Sequence, residues 1–378
     1  MTRSKTRNFD NIDLQIIRTI DEQFDKQNYS PATEQISELL EKSGDFDQKI
    51  PPRTIRYRIF NLKEKGILQK KIPITHERKL GIGESIFVVE ENPKYRTEFY
   101  DIIDKNEAID WYVPTYGKYN GYYLHSIYSL DSSYHPHKMF RLLKEKDIIR
   151  DYSALNIVDY KTYSWNFKYF DEDGSWYWNW EIWKRHLQNK IKSGNELVIE
   201  FDTEPERMNF DFIDIQILRN MYLLENLPLK KLEAILDLSE SQIGRRIKIM
   251  EQKGIIRGYR TGFYPFEYFP PLFIVIEAKQ NIQQILYHVS KIPYPLTIAL
   301  DKPGRIGLAI EFPSYEIREF LDAFYLLKPL IDSYFIQLWS KIPDFNIAGA
   351  YDLFEEESNS FVKLDKEYER TLSSIEEA

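Results

Sequence analysis

The chain has no cysteine among its 378 residues. That excludes disulfides, thiolate metal ligands and cysteine nucleophiles. Histidine is scarce, with six copies. His135-Pro136-His137 has no evident third ligand, so no metal is expected there. No apolar run approaches the ~20 residues of a membrane helix, and no membrane partner is expected. The N-terminal MTRSKTRNFD is basic without the apolar core of a secretory signal, so a cytoplasmic location is expected. The G-x-x-x-x-G-K-[ST], G-x-G-x-x-G and G-x-S-x-G patterns are missing. No bound cofactor is expected.

What is present is a repeat. NFDNIDLQIIRTI at 8–20 matches NFDFIDIQILRNM at 209–221 in eight of thirteen columns. RTIRYRIFNLKEKGIL at 53–68 then matches SQIGRRIKIMEQKGII at 241–256 in the same order. A period near 190–200 is far longer than the ~50 residues of a solenoid repeat. It indicates two related halves in one polypeptide.

Each half reads as three helices and a β-wing, then β-α-β-β-α-β, then a tail. In half one, Ile12, Ile16, Ile17 and Ile20 form a helical apolar stripe. A second helix lies near 31–40. The third opens at Pro51-Pro52, buries Ile55, Ile59 and Leu62, and ends at Gly66. In half two the helices fall near 213–224, 229–236 and, after the N-cap Ser239, up to Gly254. The six β-α-β-β-α-β elements are expected near 84–90, 93–105, 108–115, 120–130, 135–146 and 148–160. Their repeats are expected near 271–279, 281–291, 294–301, 304–312, 315–327 and 330–340. This order is the ferredoxin-like motif.

The expected class is therefore α+β, with two winged helix-turn-helix domains (8–82 and 208–268) and two ferredoxin-like domains (83–160 and 269–341). An aromatic-rich tail and linker (161–207) and an acidic tail (342–378) complete the chain. Five of seven tryptophans fall between Trp165 and Trp183. They are expected to pack the tail against a domain.

The net charge is −8, from 51 basic and 59 acidic residues. Its distribution matters more. Residues 50–80 hold nine Lys/Arg against two acids, and residues 238–262 hold six against two. Both patches centre on the third helix. There Arg53, Thr54, Arg56, Tyr57 and the flanking Arg58 are expected to face outward, as are Ser239, Ser241, Gln242, Arg245 and Arg246 in half two. Lys70, Lys71, Arg257 and Arg260 fall on the wings. A helix fits the major groove and its N-terminal side chains meet base edges. Arginine and hydroxyl groups also hold phosphates. These residues are the expected double-stranded DNA interface.

Three segments carry a family resemblance. They are Asp211-x-x-Asp214-x-x-Ile217-Leu218, Leu238-Ser239-x-Ser241-x-Ile243-x-Arg245-Arg246-Ile247 and Gly254-Ile255-Ile256-x-Gly258-Tyr259. Together they resemble the Lrp/AsnC (feast/famine) transcriptional regulators. Half two matches across about 130 residues and half one more loosely, with Pro51-Pro52 replacing the Leu-Ser start. The resemblance implies a helix-turn-helix joined to a dimerising β-α-β-β-α-β domain that often binds amino acids. It makes this chain a covalent pseudo-dimer with two unlike reading helices, able to associate further, and a regulator rather than an enzyme. For an amino-acid effector, the family's loop between the second and third strands points to Gly117 and Asn120, with Asn where the family has Asp. Half two does not match that loop.

One enzyme alternative uses the same fold. Some siroheme decarboxylases resemble it and work as pairs of related subunits, needing basic and histidine residues between the β-sheets. His125 is the candidate in half one, where half two has Leu308 or Ala309. A protein-interaction module that binds neither DNA nor tetrapyrrole is the third possibility.

Overall fold

The computed structural model describes residues 9–27, 32–44, 46, 48–132, 136–171, 174–190, 198–224, 229–266, 271–341 and 349–377. His135 of the proposed histidine pair lies outside them. Half one contains α1 (Asn11–Gln27), α2 (Thr33–Ser43), α3 (Pro52–Glu64), β1 (Leu68–Thr75), β2 (Ile82–Glu91), α4 (Arg96–Asp104), β3 (Ile109–Gly117), β4 (Gly121–Ser129), α5 (Pro136–Glu145), β5 (Ile149–Ile157), β6 (Asp159–Tyr163) and α6 (Trp180–Lys190). Half two contains α7 (Phe212–Leu223), α8 (Leu229–Leu236), α9 (Glu240–Gln252), β7 (Ile256–Phe263), β8 (Leu272–Glu277), α10 (Ile282–Val289), β9 (Leu296–Lys302), β10 (Arg305–Ile310), α11 (Ile317–Phe324), β11 (Ser333–Trp339), α12 (Gly349–Asp352) and α13 (Val362–Glu377). The class is α+β, and the expected order of helices and strands recurs in both halves.

Two compact units cut across the halves. One gathers residues 1–75, 164–179 and 220–268; the other gathers 76–163, 180–219 and 269–378.

The first unit holds α1, α2, α3, α8 and α9, with the last residues of α7. Ile16, Ile17, Ile55 and Leu62 are buried as the periodicity requires, and so are Ile243, Ile247 and Met250. Pro52 occupies the first turn of α3. Ser239 caps α9 through a reciprocal box, accepting from Gln242 N–H at 3.3 Å while Gln242 Oε1 accepts from Ser239 N–H at 2.9 Å. Gly66 and Gly254 follow α3 and α9 at φ 63° and 68°, a left-handed conformation that costs glycine least.

The expected wing hairpins do not form. β1 pairs antiparallel with β7, so the two halves share one two-stranded ribbon. The reason is that β2 is taken into the larger sheet between β4 and β5. This leaves the backbone groups of β1 to find another partner. Against the ribbon packs the aromatic segment after β6. Trp165 donates its indole N–H to Phe263 C=O at 2.9 Å, and Trp176 is 1% exposed with its ring 4.8 Å from Phe170. The tryptophans are packing residues.

The second unit is a nine-stranded sheet in the order β5-β2-β4-β3-β11-β8-β10-β9-β6. Each half supplies four strands in ferredoxin-like order. β3 pairs with β11, and β6 with β9. β5 and β6, at opposite ends of that order, are separated by Val158 alone, whose N–H reaches Leu300 C=O at 2.7 Å. The sheet therefore closes on itself. Strand alternation sends Ile86, Val88, Val113, Tyr123, Leu155, Phe273, Val275 and Trp339 into a common core between the two half-sheets. Each tail helix grips the opposite half. Trp183 of α6 donates to His288 C=O at 3.1 Å, and Tyr368 of α13 donates to Ile127 C=O at 2.8 Å.

Candidate functional site

On the third helices the expected DNA-facing residues divide into two groups. Arg53, Thr54, Arg56 and Tyr57 on α3 are exposed, and so are Ser241, Gln242 and Arg245 on α9. Arg56 is tethered, with Thr33 Oγ1 at 3.3 Å and Glu34 at 3.5 Å. Arg58 is not an outward flank. Its guanidinium donates to Asp10 and Asp13, each at 2.8 Å, tying α3 to the start of α1. Lys70 donates to Tyr222 C=O within the ribbon's surroundings. Ser239 and Gln242 are committed to the α9 cap. Arg246, Arg257 and Arg260 are half-buried. The side chain of Lys71 lies outside the described residues. Cations counted along a sequence do not reveal the carbonyls and carboxylates that hold them in the fold.

The expected effector turn is closed by the chain itself. Gln337 on β11 is fully buried. Its amide donates to Tyr119 C=O at 2.7 Å and accepts from Tyr119 N–H at 3.1 Å. Gly117 has φ 152°, and a Cβ there would lie 2.3 Å from Ile336 C=O. Asn120 N–H bonds Glu90. Gly117 thus serves the β3–β11 junction, and Asn120 ties the turn to β2.

A polar centre sits on the inward face of half one's sheet. His125 on β4 lies opposite Ile86 on β2 and Trp111 on β3. Its Nδ1 is 2.7 Å from Asp110 and its Nε2 is 3.3 Å from Glu84. Asp110 reaches it because the β3–β4 register slips between Ile109 and Trp111, a bulge that re-aims a side chain. Burial alone would depress the imidazole, but Asp110 and Glu84 outweigh burial and lift it to about 10. Burial also lifts Asp110, against the pull of His125. The imidazole is raised by its two acids, whereas Asp110 is raised by burial.

Trp111 stacks on His125 at 5.5 Å and 7°, and Tyr123 stacks on Trp111 at 5.1 Å and 18°. Trp339 of half two meets Trp111 edge-on at 5.6 Å. In half two the pairing of β8 with β10 sets Ala309 opposite Phe273, as His125 is set opposite Ile86. Among the described residues the centre therefore occurs once.

Sequence reasoning found His125 and missed Asp110 and Glu84. Glu84 carried a usable signal, an acid in step with Ile86 and Val88 on an inward strand face. The bulge at Asp110 carried none. Among the described residues no group of three or more His, Asp or Glu is placed to hold a metal ion. None of the described helices is long and apolar enough to cross a membrane.

No family model matches the chain. No curated protein matches it either. Solved structures do. The siroheme decarboxylase NirDL in co-complex with an iron-uroporphyrin III analogue superposes with TM-score 0.56 at 12% identity, covering 97% of this chain and 100% of that one. A second NirDL structure gives TM-score 0.53 at 12% identity, over 96% and 99%. E. coli AsnC aligns over 40% of this chain and 93% of its own, with TM-score 0.27 and 15% identity. At the level of fold, the chain shares its architecture with the NirDL structures. The expectation that the chain is not an enzyme is corrected by these matches, because the structures that follow it from end to end are those of an enzyme.

Proposed function

We propose that this chain acts on a tetrapyrrole carboxylic acid, as a decarboxylase of the siroheme-decarboxylase kind. The observation that carries the reading is the single buried His125 centre between half-sheets, in an architecture shared end to end with NirDL. Decarboxylation of an acetate side chain breaks the bond between its methylene carbon and the carboxylate. The electron pair stays on carbon, carbon dioxide leaves, and a proton must be supplied to give a methyl group. An imidazolium held protonated at neutral pH is suited to supply it. Glu84, at 3.3 Å, is the looser of the two acids on the ring. A substrate carboxylate replaces it on Nε2, while Asp110 keeps the ring oriented.

The test is an absorbance titration of the full chain with iron-uroporphyrin, followed by incubation with siroheme and mass spectrometry of the product. A shifted Soret band and loss of carbon dioxide are expected. An unchanged spectrum together with unchanged substrate mass overturns the reading.

Duplex DNA binding is a second reading, favoured by the exposed Arg53, Arg56 and Tyr57 on α3 and Ser241 and Arg245 on α9. Arg257 and Arg260 would serve phosphates. Affinity should fall with salt at a slope of about −0.9 per phosphate neutralised. Arg53→Ala with Arg56→Ala should weaken one half-site, and Arg245→Ala the other, by roughly 1–3 kcal/mol per base contact. Selection from a random duplex library should return an asymmetric site. Failure to retain any duplex at low salt removes this reading and leaves the first intact.

A further inference from the structure

In the first unit a groove of about 480 Å³ runs between the start of α1 and the side of α3. This falls in the ~300–1,000 Å³ range of small-ligand sites. Thr54, Tyr57 and Asn61 of α3 and Lys65, the residue that caps it, line it at helical spacing. Positions three and four apart share one helix face. Tyr57 is 65% exposed, too open for a core ring. Phe9 lies on the α1 side and is buried. The acids that would repel an anion there, Asp10 and Asp13, are both held by Arg58 at 2.8 Å.

An open aromatic face, an amide offering donor and acceptor together, a hydroxyl and a nearby ammonium form a set that matches one ligand chemistry. A base stacks on the ring. An Asn amide can pair with two adjacent edge atoms, as it does on adenine. The ammonium suits a phosphate. The matching positions of half two are Gln242, Arg245, Ile249 and Lys253. Arg245 stands where half one has the Tyr57 ring and Ile249 where it has the Asn61 amide, so the feature is not a by-product of the shared fold.

We propose that the groove between α1 and α3 binds a nucleobase, with Tyr57 as its stacking face and Asn61 as its edge reader. The base comes from a single-stranded nucleic acid or from a free nucleotide. This site takes an unpaired base and is distinct from the tetrapyrrole centre and from major-groove reading.

The experiment uses the full chain and fluorescein-labelled homo-oligonucleotides of each base, read by fluorescence anisotropy. Unlabelled nucleoside monophosphates and a duplex of the same length serve as competitors. Single strands should bind with a base preference. Tyr57→Ala should weaken binding roughly five- to a hundred-fold, Tyr57→Trp should preserve it, and Asn61→Ala should flatten the base preference. Displacement by monophosphate assigns the site to free nucleotides, whereas displacement only by strands assigns it to single-stranded nucleic acid. The exposed position of Tyr57 lets its variants fold, and their porphyrin titration should be unchanged. Equal affinity in wild type and Tyr57→Ala, or binding of duplex alone, or no binding of any of these probes, overturns the proposal.

Discussion

Replacing His125 with leucine should cost about 3–5 kcal/mol of stability, the range found when one partner of a buried ion pair is removed. The imidazolium stands between Asp110 and Glu84, whose side chains are 6% and 12% exposed. Leucine fills similar space but leaves both carboxylates buried without a counter-charge. Domains are typically stable by only ~5–15 kcal/mol, so the loss is a large fraction of the total. Urea denaturation followed by far-UV circular dichroism should show it as a lower midpoint with unchanged slope. Adding Asp110→Asn to His125→Leu should recover part of it, because contacting residues are not additive. A loss under ~1 kcal/mol from the single substitution would mean that the acids are already protonated and that His125 holds no charge.

The pH dependence has a fixed sign. The imidazole is raised from its ordinary ~6.5 to about 10 in the folded chain. The folded state therefore binds this proton more tightly than the unfolded one. Its contribution is full below ~6.5 and is lost as pH rises through about 10. The stability gap between wild type and His125→Leu should thus narrow from neutral pH toward pH ~10. Nitrogen-15 imidazole spectra should show one ring still doubly protonated well above the ordinary histidine range. The same property bears on chemistry, since a proton donor must still carry its proton when substrate arrives.

The local elements were legible in the sequence and the pairings between halves were not. Ser239, Pro52, Gly66 and Gly254 mark helix ends by short-range rules. Six-element order emerges from alternating and helical periodicity, which the backbone imposes residue by residue. The β1–β7 ribbon, by contrast, depends on where β2 goes, and that choice is settled by pairing energy across distant strands. The same holds for the candidate site. His125 was visible as a rare residue on an inward strand face. Its partner Asp110 lies on a bulge, where period-two reasoning points a side chain to the wrong face. Arg58 and Lys70 looked like reading residues because charge counting does not see Asp10, Asp13 or the Tyr222 carbonyl.

The reciprocal tails give the second large effect. Tyr368 on α13 is fully buried against half one, more than two hundred residues earlier in the chain, with its hydroxyl on Ile127 C=O. Thr371 on the same helix accepts from Asn106 at 2.9 Å, and Arg370 reaches Lys105 C=O at 2.7 Å. α6 makes the mirror arrangement on half two, where Trp180 and Tyr294 both donate to the buried Glu316. Neither ferredoxin-like domain therefore completes its own outer layer. Each borrows a helix encoded after the other, and the closed sheet joins them at β3–β11 and β6–β9. Truncating Tyr368 to alanine should cost about 3–5 kcal/mol, as for other large aromatic deletions. Tyr368→Phe removes one hydrogen bond and should cost about 1 kcal/mol. Because the layers are exchanged, the loss should spread through both halves of this unit. Far-UV circular dichroism and the fluorescence of Trp183, isolated by replacing the other tryptophans that tolerate it, should report one coincident transition at a lower midpoint. A separate early transition that releases α13 while the Trp183 signal holds would show that the tails are appendages and that each half folds alone.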